Sequence, residues 1–169
     1  MKYDILKYPN PILKEVSKLV KIDEIDNNFR AMINELFELM YYSRGGGLAA
    51  IQVGIKKRFF LMDGSENKDQ KIVVINPEII ESRGEIVEEE GCLSFPGVYV
   101  KIKRAEWVKI KAINEKGKAF ELASDGYLGR CIQHELDHLN GIIFFDRLSN
   151  LKRKMVEKKY KNMLKESDN

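Results

Sequence analysis

The sequence predicts an α+β fold in a single compact domain spanning residues 1–169. Antiparallel β-sheets are expected to pack around a central helix carrying HELDH, with an N-terminal helix before them and a C-terminal helix after them. Three observations carry this prediction. A chain of 169 residues with 44% hydrophobic content suits one core rather than two. The apolar pattern changes from helical spacing to short runs rich in Val, Ile and aromatics at Lys57, then returns to helical spacing at Asp125. The β runs follow one another with short connections, which favours antiparallel pairing over a parallel sheet with helical crossovers.

After an irregular entry with Pro9 and Pro11, Asp23 is the expected cap of a first helix. Its apolar residues Ile25, Phe29, Met32, Ile33, Leu36 and Met40 recur at helical spacing, and the glycines near 45 should end it. The runs RFFLMD, KIVVIN, PEIIESRGEIVEE, GVYVKIK, AEWVKIKAI and KAFELA then read as strands, with Asn114 to Gly117 as a hairpin connection. From Asp125 to Asn140 a second helix sets Ile132, Leu136, Leu139 and Ile143 away from its histidines, and Asn140-Gly141 stops it. The last helix, basic and covering 151–169, has Leu148, Leu151, Met155 and Leu164 as its expected apolar stripe.

No stretch approaches the ~18 apolar residues of a membrane span, and the N-terminus lacks an apolar signal core. The expected location is the cytoplasm, where Cys92 and Cys131 stay free or metal-bound rather than paired with each other. The net charge of +3 is unevenly placed. From Leu151 onward seven Lys/Arg face Glu157, Glu166 and Asp168, so the tail carries +4 and everything before it −1. Such a tail suits a solvated helix face or an anionic partner such as RNA.

HELDH holds the only two histidines of the chain. At about 100° per residue His134 and His138 lie about 40° apart on one helix face and can grip one metal ion, with Glu135 beside them. Four positions compete for the third ligand. Metzincin proteases extend HExxH to a third histidine, but that place holds Phe144, whose ring cannot bind a metal. Glu157 follows at a separation some zinc peptidases use, yet it reads as solvated and paired with Lys161. Cys131 faces the histidines from a turn upstream, about 7 Å from the ion along the axis at ~1.5 Å per residue, too far for its short side chain. Cys92, in EEEGCLSFPG, sits at a strand end or tight loop from which its sulfur can swing onto the helix. The expected centre is therefore His2Cys with one open position, the pattern of a catalytic site.

GGGLAAIQVG (45–54), EGCLS (90–94) and QHELDH (133–138), in this order and spacing, resemble the peptide deformylase family, and the likeness extends over essentially the whole chain. The resemblance implies hydrolysis of the N-formyl group of nascent chains beginning with formylmethionine. It implies metal ligation by Cys92, His134 and His138, with Glu135 as general base and acid. Gln52 and the main-chain N–H of Leu93 would hold the developing oxyanion. Ferrous iron is the expected ion, with zinc, nickel or cobalt able to replace it. Gly45, Gly46, Gly47 and Gly91 would let the backbone approach a bound peptide, and the C-terminal helix would dock on the ribosome near the exit tunnel; no membrane or DNA partner is expected. The rival reading in the same chemistry is an HExxH endopeptidase.

The chain also departs from its family. Gly46 stands where a bulky aliphatic is usual and Ile51 where Pro or Thr is common. Glu88 and Arg130 carry opposite charges at positions that are often apolar and wall the methionine pocket. The expectation is an ion pair between Glu88 and Arg130 across that pocket, with the arginine stem as apolar wall.

Overall fold

The computed structural model describes residues 1–169. Five strands, β1 (Gly47–Ala49), β2 (Phe59–Met62), β3 (Ile72–Arg83), β6 (Trp107–Ile113) and β7 (Ala119–Asp125), form an antiparallel sheet in the order β1-β2-β3-β6-β7. Strands β4 (Ile86–Cys92) and β5 (Phe95–Arg104) form a separate hairpin. Helix α1 spans Asn27–Tyr42, α2 spans Gly126–Leu139 and α3 spans Asn150–Ser167. None of them is long and apolar enough to cross a membrane.

The continuous apolar run of β2 is explained by burial on both faces. Phe59 and Leu61 pack under α1 with Phe29, Ile33 and Leu36, whereas Phe60 and Met62 pack under α2 with Ile132, Leu136 and Leu139. The edge-ward β6 needs only one covered face, so Val108, Ile110 and Ala112 point in while Lys109 and Lys111 point out or sit half-buried. Helix α2 is thus the central helix, apolar behind, and its polar front is buried as well: Gln133, Glu135, Asp137 and His138 are all enclosed.

Several expected boundaries shift. The cap of α1 is Asp26, whose carboxylate accepts from Phe29 N at 2.8 Å, because a 3-10 turn at Ile22–Glu24 holds Asp23. The helix ends before the glycines. Arg44 takes the left-handed conformation (φ 59°), and Gly45 N bonds Met40 O at 2.9 Å in a Schellman motif. Gly141 performs the same task after α2 (φ 72°), as its sequence position predicts. Strand β3 runs on through Pro77 by a bulge in which Asn76 turns left-handed and its side chain pairs with the Val20 backbone, so KIVVIN and PEIIESR are one strand. The break falls instead at Gly84 (φ 68°).

Helix α3 buries only part of the stripe its sequence predicts, with Leu148 and Leu164 packed against the core. Tyr160 is its one fully enclosed residue, flanked by Val156, Met163 and Leu164, while Leu151 and Met155 are 71% and 64% exposed. The large ring decides the rotation: Tyr160 donates to Tyr8 O at 2.8 Å and sits among Tyr8, Phe95 and Phe145. Glu157 consequently faces the domain half-buried, accepting from Arg153 Nε at 3.0 Å, and does not pair with Lys161.

Candidate metal centre and active site

Cys92 ends β4 and reaches the α2 face that carries the histidines. Its Sγ lies 3.4 Å from His138 Nε2, and the two Nε2 atoms lie 3.2 Å apart. The three donor atoms all fall within 4.8 Å of one another. A tetrahedral ion with ligand bonds of about 2.1 Å to nitrogen and about 2.3 Å to sulfur would space N from N by ~3.4 Å and S from N by ~3.6 Å. These two separations match within a few tenths of an ångström and the third stays within 4.8 Å, so the donor set fits a divalent metal. Neither Glu157 nor Cys131 joins it; Cys131 Sγ instead approaches Gly46 O at 3.9 Å.

His134 is held from behind, whereas His138 Nδ1 has no hydrogen-bond partner. His134 Nδ1 lies 2.8 Å from Glu90 Oε1, which leaves Nε2 as the ligating atom. Arg104 grips Glu90 with two hydrogen bonds of 2.9 Å and reaches Asp137 at 2.6 Å, and Asp137 in turn holds Arg147 at 2.5 and 3.0 Å. Burial pushes the Glu90 carboxyl up, but the hydrogen bonds from Arg104 and His134 outweigh it and hold the group at about 2. Burial likewise drives both imidazoles toward neutrality. It keeps His138 well below the usual histidine range, while hydrogen bonds to Cys92 and Glu90 raise His134 against it.

The sequence reading passed over Glu90, Arg104, Asp137 and Arg147, although two of them leave a signal. Strand alternation from Cys92 puts Glu90 on the ligand's face and Glu89 on the other. Arg104 extends the inward series Val98, Val100, Ile102, so an arginine at that register must be buried and paired.

Glu135 is 4% exposed, its Oε2 has no hydrogen-bond partner, and burial pushes its carboxyl up to about 7. Gln52 is fully enclosed. Its Oε1 accepts from Ala49 N at 2.9 Å, and its Nε2 donates to Ser94 Oγ at 3.0 Å with Cys92 Sγ 3.7 Å away, so the amide is fixed beside the ligand. Leu93 follows Cys92 directly and its side chain covers Gly45. The glycines serve the chain's own side chains first. A Cβ at Gly45 would meet Leu93 at 2.6 Å, one at Gly47 would meet Glu135 Oε1 at 2.6 Å and Cys131 Sγ at 2.7 Å, and one at Gly91 would meet the Tyr99 ring at 2.7 Å. At Gly46 it would overlap the Tyr127 hydroxyl. All four line a cleft of about 1250 Å³ together with Gln52, Glu88, Cys92, Leu93, Arg130, His134 and Glu135.

The expected pairing of Glu88 with Arg130 is not formed. Arg130 Nε lies 2.8 Å from Glu90 Oε2, and its Nη2 donates to the main-chain oxygens of Glu88 (2.9 Å) and Ile102. The Nε–H is not aimed at the carboxylate, so that contact is coulombic. Glu88 lies two residues before Glu90 along β4 but is exposed to solvent. Accordingly, in urea unfolding, Glu88→Leu and Arg130→Ile should add within about 0.5 kcal/mol, whereas Glu90→Gln and Arg130→Ile should couple by about 1–3 kcal/mol. Strong coupling in the first cycle would restore the Glu88 pair.

An HExxH helix under an antiparallel sheet, a cysteine sulfur from a separate hairpin beside its two imidazoles and a buried, unpartnered carboxylate next to them are the arrangement of a metal-dependent hydrolase. Comparison with known proteins gives the family. The sequence profile of polypeptide deformylase matches residues 2–154. The chain is 49% identical over 164 residues to the peptide deformylase of Chromobacterium violaceum, covering 97% of both, and 48% identical over 162 residues to that of Neisseria meningitidis serogroup C, covering 96% of both. Its structure superposes on the crystal structure of a peptide deformylase from Legionella pneumophila with a TM-score of 0.92 at 42% identity, covering 98% of this chain and 97% of that one. The Synechococcus elongatus peptide deformylase in complex with actinonin gives 0.88 at 39% identity, covering 94% of this chain and 87% of that one. The chain belongs to the peptide deformylase family. It is a hydrolase that removes the N-formyl group from nascent polypeptides, and the family is metal-dependent.

Proposed function

We propose that Cys92, His134 and His138 hold the ion, that Glu135 carries the protons, and that Gln52 with the main-chain N–H of Leu93 receives the formyl oxygen. The observation that carries this reading is the cluster of one sulfur and two nitrogens within 4.8 Å, with the unpartnered Glu135 Oε2 in the same buried space. A bound divalent ion supplies Lewis acidity toward the formyl carbonyl and toward water. Glu135 would take a proton at a carboxylate oxygen from the attacking water as the water oxygen bonds to the formyl carbon, and deliver it to the departing amine nitrogen as the formyl C–N bond breaks, leaving formate and a free N-terminus. Gln52 Nε2, already positioned by Ser94, offers a donor to the oxygen on which charge develops, an interaction that can be worth ~3 kcal/mol. Gly45, Gly46, Gly47 and Gly91 line the substrate cleft and keep its walls thin where the peptide enters.

The native ion in this reading is ferrous iron, a choice that rests on family likeness, since thiolate and imidazole accept iron and zinc alike. Metal analysis of anaerobically purified protein, with formate release from a formyl-methionyl peptide measured on the same sample, tests both statements. One equivalent of iron rising and falling with activity is the expected result; fully active protein containing only zinc would replace iron, and no formate would refute the site.

The partner in the cytoplasm is the ribosome near the exit tunnel, met by the outer face of α3. That face joins Lys154, Lys158 and Lys165 to the exposed Leu151 and Met155, a basic surface with apolar anchors. Truncating the helix would confound the test, because Val156, Tyr160, Met163 and Leu164 pack in the same cluster as Cys92. Reversing the three lysines to glutamate avoids this. Ribosome affinity should fall at least tenfold at low salt while hydrolysis of a short formyl peptide changes less; binding that ignores both salt and charge reversal would rule the surface out.

A further inference from the structure

A second cavity, of about 410 Å³, opens along the Gln133, Asp137 and Asn140 side of α2 and shares none of its lining with the substrate cleft. Arg104, Asp137 and Arg147 meet in its wall. From there an unbroken chain of charged groups runs inward to a histidine of the metal centre. Arg147, in the 3-10 turn Phe144–Arg147 that follows α2, donates from Nη2 to Asp137 Oδ1 at 2.5 Å and from Nε to Oδ2 at 3.0 Å. Asp137 Oδ2 also accepts from Arg104 Nη1 at 2.6 Å. Arg104 directs its other two nitrogens to Glu90 at 2.9 Å each, and Glu90 Oε1 meets His134 Nδ1 at 2.8 Å. The side chains of Arg104, Glu90 and Asp137 are 3%, 6% and 9% exposed, whereas that of Arg147 is 44% exposed. Arg147 is therefore the link that touches water.

Arg104 is shared between two carboxylates, and Arg130 offers Glu90 charge without a directed hydrogen bond. Arg147 supplies Asp137 with two donors of its own. Without it, a nearly dry Asp137 would keep only the Nη1 of Arg104 and would draw that guanidinium off Glu90, since a buried carboxylate short of donors is costly. We propose that Arg147 is a positioning residue for the metal centre. By saturating Asp137 it keeps Arg104 clamped on Glu90, which holds the His134 ring with its Nε2 aimed at the other two donors. Arg147 lines no part of the substrate cleft, so its effect is on the ion and not on the peptide. The inference rests on the ligand assignment proposed above. The rival account makes the Arg147–Asp137 pair a fastener of the 3-10 turn onto α2, with no effect on the ion.

The test uses the full chain loaded with cobalt(II). Its two readings need no turnover: the rate at which excess chelator removes the ion, and the visible absorption of the bound ion, which follows ligand geometry. Arg147→Gln should release cobalt about tenfold faster, the lower end of the effect of losing an outer partner of a metal-bound histidine, and should shift the absorption. Arg147→Lys returns the charge and a donor to Asp137 and should recover most of both changes. Arg153→Gln breaks the ion pairs to Asp146 and Glu157 beside the same turn but has no link to Asp137, so it should leave both readings unchanged. In a Glu90→Gln background, Arg147→Gln should accelerate release by no more than about twofold, because the route to His134 is already cut. Release from Arg147→Gln equal to that from the unaltered protein, the same acceleration in Arg153→Gln, or an undiminished effect in the Glu90→Gln background would overturn the relay and leave Arg147 a fastener. Cobalt held as well by Cys92→Ala as by the unaltered protein would instead overturn the ligand assignment, and the relay with it.

Discussion

Cys92→Ala is expected to lose its metal and all measurable deformylation, whereas Cys131→Ala stays within a few-fold of full activity. Both cysteines lie near the histidines, so the contrast is a test of geometry rather than of thiol chemistry. Cys92 Sγ sits 3.4 Å from His138 Nε2, on an edge of the ligand triangle. Cys131 is a turn upstream with its sulfur against Gly46 O and in the space a Cβ at Gly47 would need. Burial, and next the nearby Glu135, push its thiol well above the usual range, which suits a core residue and not a ligand. Metal content by plasma spectrometry and formate release on the same preparations are the measurements. Equal metal loss in the two variants would sink the assignment.

Glu135→Gln should retain the ion and lose turnover by roughly 10²–10⁴-fold, the usual contribution of a positioned general base. The amide has the same shape, so the enclosed site keeps its packing, and no ligand atom is removed because Glu135 is not among the three donors. With a proton carrier missing and the substrate contacts intact, the loss should fall on kcat rather than KM. A glutamine variant with near-normal kcat would show that another base acts.

The juxtaposition of His134, Glu135 and His138 was legible in the one-dimensional chain because the three share one helix, whose covalent geometry converts spacing directly into direction. The antiparallel runs, the Gly141 stop and the single-domain organisation were legible for the same reason: each depends on local pattern or on total length. Glu90 and Arg104 are half in view through strand alternation, since each occupies an inward position of its strand. What failed was rotation and partnership. The stripe of α3 was read from its aliphatic residues, yet Tyr160 set the rotation by filling a cavity among rings from three distant segments.

Arg130 shows the same limit at the site. Its charge and its position on α2 follow from the sequence, but that it meets the carboxylate of Glu90 and only the main chain of Glu88 is set by how β4 packs against the helix. The sequence by itself determined the fold class, the family and the sulfur and imidazole side chains that the fold brings together. Only the tertiary structure decided which buried charges meet, which side chains need each glycine, and which face of α3 remains free. Contacts between elements depend on separations of a few ångströms set by the packing of the whole core, and no spacing along the chain encodes them.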